Sequence, residues 1–313
     1  MNPQSLVFVA GHRGMVGAAI IRVLRAKGCD NILTRTRAEL ELRDSAAVDR
    51  FFAEHRPAVV VLAAARVGGI AANMSAPAAF LVDNLRIGVN VLTAAAAHGA
   101  TDVLYFGSSC VYPRDAPQPL REDCLLSGPL EPTNEGYALA KIAGIKLAEY
   151  LGRSTSLRVV AAMPTNLYGP GDHYDPEKSH VIPGLLQRFH KEKARGSTEV
   201  ECWGSGRPLR EFMHVDDLAA AAAHLLVRHP GFGLVNIGTG EEVTIAALAQ
   251  LVADAVGFTG RIRWDSTRPD GTPRKLLDLT RLSSTGFVPR VRLREGLAAT
   301  YAEAVAAGRF DDL

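Results

Sequence analysis

Leu6-Val-Phe-Val-Ala10-Gly11-His-Arg-Gly14-Met-Val-Gly17 opens the chain on an apolar strand that runs directly into a glycine loop. Behind the loop, Met15 to Lys27 places apolar residues at helical spacing and stops at Gly28. Strand, glycine turn and helix in that order make a phosphate cradle. Glycine permits the tight turn, lets backbone amides approach a pyrophosphate, and sets the ligand at the positive end of the helix dipole. The spacing is G-x-x-G-x-x-G, through Gly11, Gly14 and Gly17. A glycine triplet alone is a weak signal, since surface loops are often glycine-rich; its place after the first strand of a βαβ unit gives it weight.

Working outward, strands and helices alternate. Asn31 to Thr34 reads as a strand, Ser45 to Glu54 as a helix opened by Asp44, and Ala58 to Ala63 as a strand apolar on both faces. A long helix around Phe80 to His98, a strand Asp102 to Phe106, a helix Tyr137 to Leu151 and a strand Leu157 to Ala161 follow. Such alternation predicts an α/β fold with a Rossmann-type doubly wound parallel sheet and a ligand outside the carboxyl ends of its strands. After Pro164 the pattern becomes rich in Gly, Pro and polar residues, with a helix near Ile182 to Lys191. A helix at 215–229 and a strand Gly233 to Gly238 then return. A helix Thr244 to Val256, a strand Arg261 to Trp264 and a final helix complete the chain. The expected division is a cofactor domain, 1–164 with returning segments near 211–240, and a smaller discontinuous substrate domain, 165–210 and 241–313.

Composition excludes several classes. Of 313 residues 47% are hydrophobic and the formal net charge is +2, so neither a disordered chain nor a nucleic-acid binder is expected. No uninterrupted apolar run nears the roughly 20 residues of a membrane span, and no membrane partner is expected. The start, Met1-Asn2-Pro3-Gln4, lacks a basic n-region and a cleavage site. The four cysteines, Cys29, Cys110, Cys124 and Cys202, form no C-x-x-C and indicate neither a metal site nor a disulfide framework. A cytoplasmic protein is expected.

Two patterns carry chemistry. The second strand ends in Thr34-Arg35-Thr36-Arg37, where a cofactor with a free ribose 2′-hydroxyl would favour an acid. Guanidinium forks at Arg37 and Arg13 suit a 2′-phosphate, so NADP(H) is preferred to NAD(H); the alternative is a solvated basic loop. Tyr137-Ala-Leu-Ala-Lys141 sets a phenol and an ammonium on one helix face. The ammonium is expected to draw the phenol toward phenolate, for proton exchange with a carbonyl oxygen during hydride transfer. By itself Y-x-x-x-K is common on wet helices; after a glycine-loop βαβ array it is much less so.

Together these stretches resemble the extended short-chain dehydrogenase/reductase family, in particular its epimerase-reductases of GDP-4-keto-6-deoxy sugars. The resemblance runs through Ala10-Gly-His-Arg-Gly-Met-Val-Gly17, Leu62-Ala-Ala-Ala65 with Val67-Gly-Gly-Ile70, and Gly107-Ser-Ser-Cys-Val-Tyr-Pro113. It continues through Glu131-Pro-Thr-Asn-Glu135, Met163-Pro-Thr-Asn-Leu-Tyr-Gly-Pro170 and Ser179-His-Val-Ile-Pro183. Trp203-Gly-Ser-Gly206, Arg210-Glu-Phe-Met-His-Val-Asp-Asp217 and Asp270-Gly-Thr-Pro-Arg-Lys-Leu-Leu277 complete it. Gly136 directly before Tyr137 departs from the pattern and is expected to matter little.

The resemblance implies the site. Ser108, Tyr137 and Lys141 would bind the ketone oxygen and steady an enolate. Cys110 would be the base and His180 the opposing acid for epimerisation at C3 and C5, the carbons flanking the carbonyl. On their own, a cysteine near a strand end reads as a small buried hydrophobe and a histidine in a polar loop as an exposed side chain. Read as extended backbone, Ser108 and Cys110 would face one side. Cofactor contacts implied alongside the glycine loop are Met15, Val16, Ala63, Ala65, Lys141, Pro164, Asn166, Leu167 and His180. Arg188, Trp203, Arg210 and Lys275 would meet the GDP-sugar, whose two phosphates suit guanidinium forks and a lysine. Asp216 and Asp217 are expected to cap the helix that follows them. A homodimer through the helices near 80–98 and 137–151 follows by analogy alone.

Three rivals stand beside this reading. A nucleotide-sugar 4-epimerase cycling NAD would not need the arginines at 35 and 37 or the Cys110/His180 pair. The same chemistry on a colitose or heptose precursor would share nearly every motif. A cofactor-sensing regulator would not need Ser108, Tyr137 and Lys141 together.

Overall fold

The computed structural model describes residues 4–175, 179–228, 231–268 and 270–311. Six strands form one parallel sheet in the order Ile32–Leu33, Val7–Ala10, Val59–Leu62, Asp102–Phe106, Arg158–Pro164, Gly233–Ile237. The chain builds outward from Val7–Ala10 on one side, then returns to build on the other. The reversal therefore falls between Val7–Ala10 and Val59–Leu62, and the ends of these strands, Gly11 and Ala63, open the crevice where a ligand binds such a sheet.

Central strands are buried throughout, as their unbroken apolar runs require. Met15–Ala26 and Val215–Arg228 cover one face with Ile20, Leu24, Leu218 and Leu225. Ser45–His55, Pro77–Ala97 and Glu135–Ser154 cover the other with Phe52, Leu92 and Ile145. Asp44 opens the first of these as expected, its carboxylate accepting from the Ala47 amide at 3.0 Å. Pro77–Ala97 has 21 residues and a mean hydropathy of 1.2, so by length and composition it could cross a membrane. Yet Asp83, Asn84 and Arg86 interrupt it, and Phe80, Asn84, Val91, Leu92 and Ala95 are packed into the core.

A third core gathers Ile182, Leu186, Phe189, Leu248, Val252 and Leu297 from the helices Val181–Ala194, Ile245–Val256 and Leu293–Ala306. Beside it, Leu209–His214 pairs with Glu242–Thr244, Arg274–Lys275 and Asn166–Tyr168, and Glu199–Trp203 pairs with Arg261–Asp265. Of these strands Arg261–Asp265 is the one legible in the sequence; the others lie in a Gly- and Pro-rich stretch or are only two to three residues long. His229, at the end of one expected helix, lies outside the described residues.

Two readings are corrected. Asp216 and Asp217 do not cap: the helix begins at Val215 and both lie in its first turn. Asp217 instead accepts from the Arg290 and Val291 amides at 2.8 Å, and Asp216 pairs with Arg22. Gly136 matters more than expected. A Cβ there would lie 2.7 Å from the Pro77 carbonyl oxygen, so its bareness lets Glu135–Ser154 pass close to Pro77–Ala97.

Candidate active site

The glycine loop is shaped by contact. Gly11 has φ +88°, and a Cβ there would lie 2.7 Å from the Ala64 amide nitrogen. A Cβ on Gly17 would fall 2.2 Å from the Gly11 oxygen, so the helix presses on the loop. Gly14 caps the helix without any side-chain bond. The first-turn amides therefore lack a side-chain acceptor, which is the donor set a pyrophosphate needs. The residues present fit a dinucleotide, with Met15 and Val16 in that first turn and Ala63 and Ala65 just past the neighbouring strand.

At the end of the second strand the arginines differ. Arg35 donates to the Thr34 carbonyl at 2.9 Å and lies over the Phe51 ring, so it is occupied within the protein. Arg37 is 73% exposed and paired only with Glu41 at 2.9 Å. An exposed pair of this kind is worth about 0.2–1 kcal/mol and yields readily to a phosphate. Arg13 is exposed on the loop, close enough to Arg35 that both act on Glu39. Glu39 accepts from the Thr36 amide and hydroxyl at 2.7 Å, and these bonds hold its carboxyl below the ordinary range.

Ser108, Cys110, Tyr137 and Lys141 come together at the end of Asp102–Phe106. The backbone is extended at Ser108 but not at Cys110: Ser109–Val111 forms a 3₁₀ turn capped by Ser108, whose oxygen accepts from the Cys110 amide at 3.3 Å. Because the turn uses the oxygen, the Ser108 proton stays free to donate. Lys141 is buried, donates to the Phe106 carbonyl at 2.7 Å and lies over the rings of Tyr105 and Tyr137. Burial lowers it to about 8. The expected drift of Tyr137 toward phenolate is reversed. Burial pushes the phenol above its ordinary value, the charges of Cys110 and Tyr105 add to this, and a hydrogen bond with Ser108 only partly offsets them. With the ammonium beneath the ring and bonded to a carbonyl, desolvation wins. A neutral phenol is the form that can give a proton.

The remaining expected residues divide. Lys275 reaches the cluster, its Nζ 3.8 Å from the Cys110 sulfur. His180 is exposed at the start of Val181–Ala194, where its imidazole acts on the buried Asp172 carboxyl; among the described residues no hydrogen bond joins it to Cys110. Arg188 lies over the Trp203 ring, 4.8 Å from its centroid, and donates to the Glu201 carbonyl. Trp203 is 56% exposed, and Arg268 lies over the same ring at 5.1 Å. Arg210 donates to the Leu209 carbonyl, and burial lowers it below its ordinary value. Pro164 ends its strand, and the Asn166 amide donates to the Glu211 carbonyl at 2.9 Å with Leu167 next in line. The sequence reading gave no role to Asn134 and passed over Arg268. Asn134 donates to the Cys110 sulfur at 3.2 Å, and it borders a cavity of about 230 Å³ with Asn73, Met74 and Tyr137. Its place in Glu131-Pro-Thr-Asn-Glu135 was the available signal.

Comparison with known proteins gives the family. The sequence model of the NAD dependent epimerase/dehydratase family matches residues 7–238. GDP-L-fucose synthase 1 of Arabidopsis thaliana is 54% identical over 300 residues, covering 96% of this chain and 93% of that protein. GDP-L-fucose synthase of Escherichia coli K12 is 51% identical over 304 residues, covering 94% and 95%. Among solved structures, the GDP-mannoheptose C4 reductase MlghC of Campylobacter jejuni, with NADP bound, superposes with a TM-score of 0.89 at 32% identity, covering 97% of this chain and 99% of that one. The chain belongs to the NAD dependent epimerase/dehydratase family, beside its GDP-L-fucose synthases.

Proposed function

We propose that this protein converts GDP-4-keto-6-deoxy-D-mannose to GDP-L-fucose, epimerising C3 and C5 and reducing C4 with NADPH. The observation that carries the reading is a thiol, Cys110, set among the Ser108–Tyr137–Lys141 groups of a hydride-transfer site. A plain reductase or a 4-epimerase has no use for a base beside the ketone; an enzyme that must also move the C3 and C5 protons does.

Each residue then has a task. Cys110 as thiolate removes the proton from C3 or C5, and the C–H electron pair passes into the enolate, whose oxygen lies against Ser108 and Tyr137. His180 returns a proton to the opposite face, which requires its helix terminus to approach the sugar once substrate is bound. When bound at the glycine loop, NADPH would be the source of the hydride that C4 receives. Tyr137, held neutral by burial, gives its proton to the C4 oxygen, and the neighbouring hydroxyl of Ser108 steadies the resulting charge. Lys141 holds the cofactor ribose, and Arg37 with Arg13 the 2′-phosphate. Arg188, Trp203 and Arg210 take the nucleotide part of the substrate from the second domain, 165–210 and 241–313.

The protein works in the cytoplasm as a homodimer. Supporting the dimer, Val82 and Val89 of Pro77–Ala97 and Leu139 and Tyr150 of Glu135–Ser154 are exposed on two adjacent helices, and a second copy would cover them. Incubation of GDP-4-keto-6-deoxy-D-mannose with NADPH tests the function: GDP-L-fucose is the expected product. Formation of only the unepimerised GDP-6-deoxy sugar, or turnover confined to a GDP-heptose, would overturn it.

A further inference from the structure

We propose that Lys275 and Asn134 are the positioning residues that hold Cys110 as a thiolate, so that the base of the epimerisation is charged by a lysine from outside the main sheet. The inference rests on the reading of Cys110 as base and names what makes a thiol fit for that task.

Two donors converge on one sulfur: the Asn134 amide at 3.2 Å and the Lys275 ammonium at 3.8 Å. A neutral thiol is a weak acceptor, whereas an anionic sulfur rewards both contacts, and a lysine beside a cysteine favours the thiolate. Asn134 stands at the N-cap position of Glu135–Ser154, where an asparagine oxygen ordinarily accepts from a first-turn amide. Here it makes no capping bond, its Oδ1 is buried without a partner, and its NH₂ faces the sulfur. The helix start forgoes its cap while the sulfur gains a donor.

Lys275 is fixed just as deliberately. Its short strand pairs with Leu209–His214, with Arg210 opposite, and the residues after it are stitched to the main sheet's loop. The Leu120 amide donates to the Leu276 carbonyl at 2.8 Å, and the Asp278 amide to the Leu120 carbonyl at 2.8 Å. Tyr137 and Lys275 are titratable groups beside the sulfur, and Lys141 stands beyond the Tyr137 ring. Burial keeps Tyr137 neutral, whereas Lys275 brings an ammonium into contact with Cys110.

The test is the pH dependence of Cys110 alkylation by iodoacetamide, followed on its own peptide in the intact protein. Exchange of C3 and C5 protons with deuterated water is measured on the same samples. Lys275→Met should move the alkylation midpoint up by about one pH unit and slow exchange about tenfold at neutral pH, with recovery at alkaline pH. Lys275→Arg should restore most of the profile, and Asn134→Ala should shift it in the same direction by less. An unchanged alkylation profile in Lys275→Met, with only KM for the GDP-sugar raised, would overturn the proposal and make Lys275 a phosphate contact. Alkylation reads the thiol–lysine coupling whether or not Cys110 is the base, and loss of exchange in Cys110→Ser reads the base itself.

Discussion

Ser108, Tyr137 and Lys141 are tied to the end of a central strand and the helix packed on it, whereas Cys110 and His180 are drawn from separate parts of the chain, with no hydrogen bond or ion pair between them among the described residues. Lys141 is bonded to the carbonyl at the end of a central strand, and Ser108 caps the turn that leaves it. Cys110 is held partly by a residue far along the chain, and His180 stands exposed at a helix start. On the proposed roles, the difference teaches that the groups for reduction are assembled before substrate arrives, while the two for epimerisation would be brought together only around it. The two chemistries should therefore fail separately.

The largest effect is expected at the base. Cys110→Ser should lower C3/C5 exchange without NADPH about 10³- to 10⁴-fold, since a serine hydroxyl is too weak an acid to give a base at neutral pH. Deuterium incorporation read by NMR checks this, and exchange at the normal rate would break the comparison at once. His180→Gln should leave some exchange with retention, because the base can return a proton to its own face. Next comes Tyr137→Phe, which should cut NADPH oxidation about 10²- to 10³-fold and slow exchange much less, because Ser108 still holds the enolate oxygen, with thermal stability near normal. A fall in melting temperature instead would make the hydroxyl structural.

A smaller effect is expected at the cofactor. Arg37→Glu should weaken NADPH by about ten- to a hundredfold and leave NADH nearly unchanged, the loss of one charge-assisted contact being about 1.5–3 kcal/mol. Equal losses in fluorescence titrations with the two cofactors would remove Arg37 from the site. The smallest effect concerns pH. Lys141 carries its proton below about 8 and loses it above, so reduction should decline as pH rises through that value. Because exchange depends on a thiolate, it should not fall over the same range; parallel declines would show one group controlling both.

What could be read from the sequence follows what the chain buries. Val59–Leu62 and Asp102–Phe106 are apolar on both sides, which identifies them as central strands without any partner in view. Tyr137 and Lys141 share one helix, so their spacing alone places them together. Leu209–His214 is half-polar, Arg274–Lys275 is two charged residues, and they pair across a long separation, so no local pattern marks them. For the same reason the contact of Lys275 with Cys110, which depends on that pairing, could not be foreseen. Two errors were electrostatic or conformational. Proximity of Lys141 suggests a more acidic phenol, but burial outweighs it; and a period of two fails between Ser108 and Cys110 because the extended chain turns into a 3₁₀ helix at Ser109.

The last strand of the sheet, Gly233–Ile237, reaches its partner Arg158–Pro164 only after the chain has left to make Asn166–Tyr168, Val181–Ala194 and Leu209–His214. During synthesis, at roughly 5–20 residues per second, the seventy or so intervening residues keep that edge waiting about 4–15 s. Val159, Val160 and Ala161 would present an unpaired apolar template through that interval. A ribosome stalled between Pro164 and Gly233 would thus release a sticky fragment, so expression should respond to chaperone supply and to codon choice in this stretch.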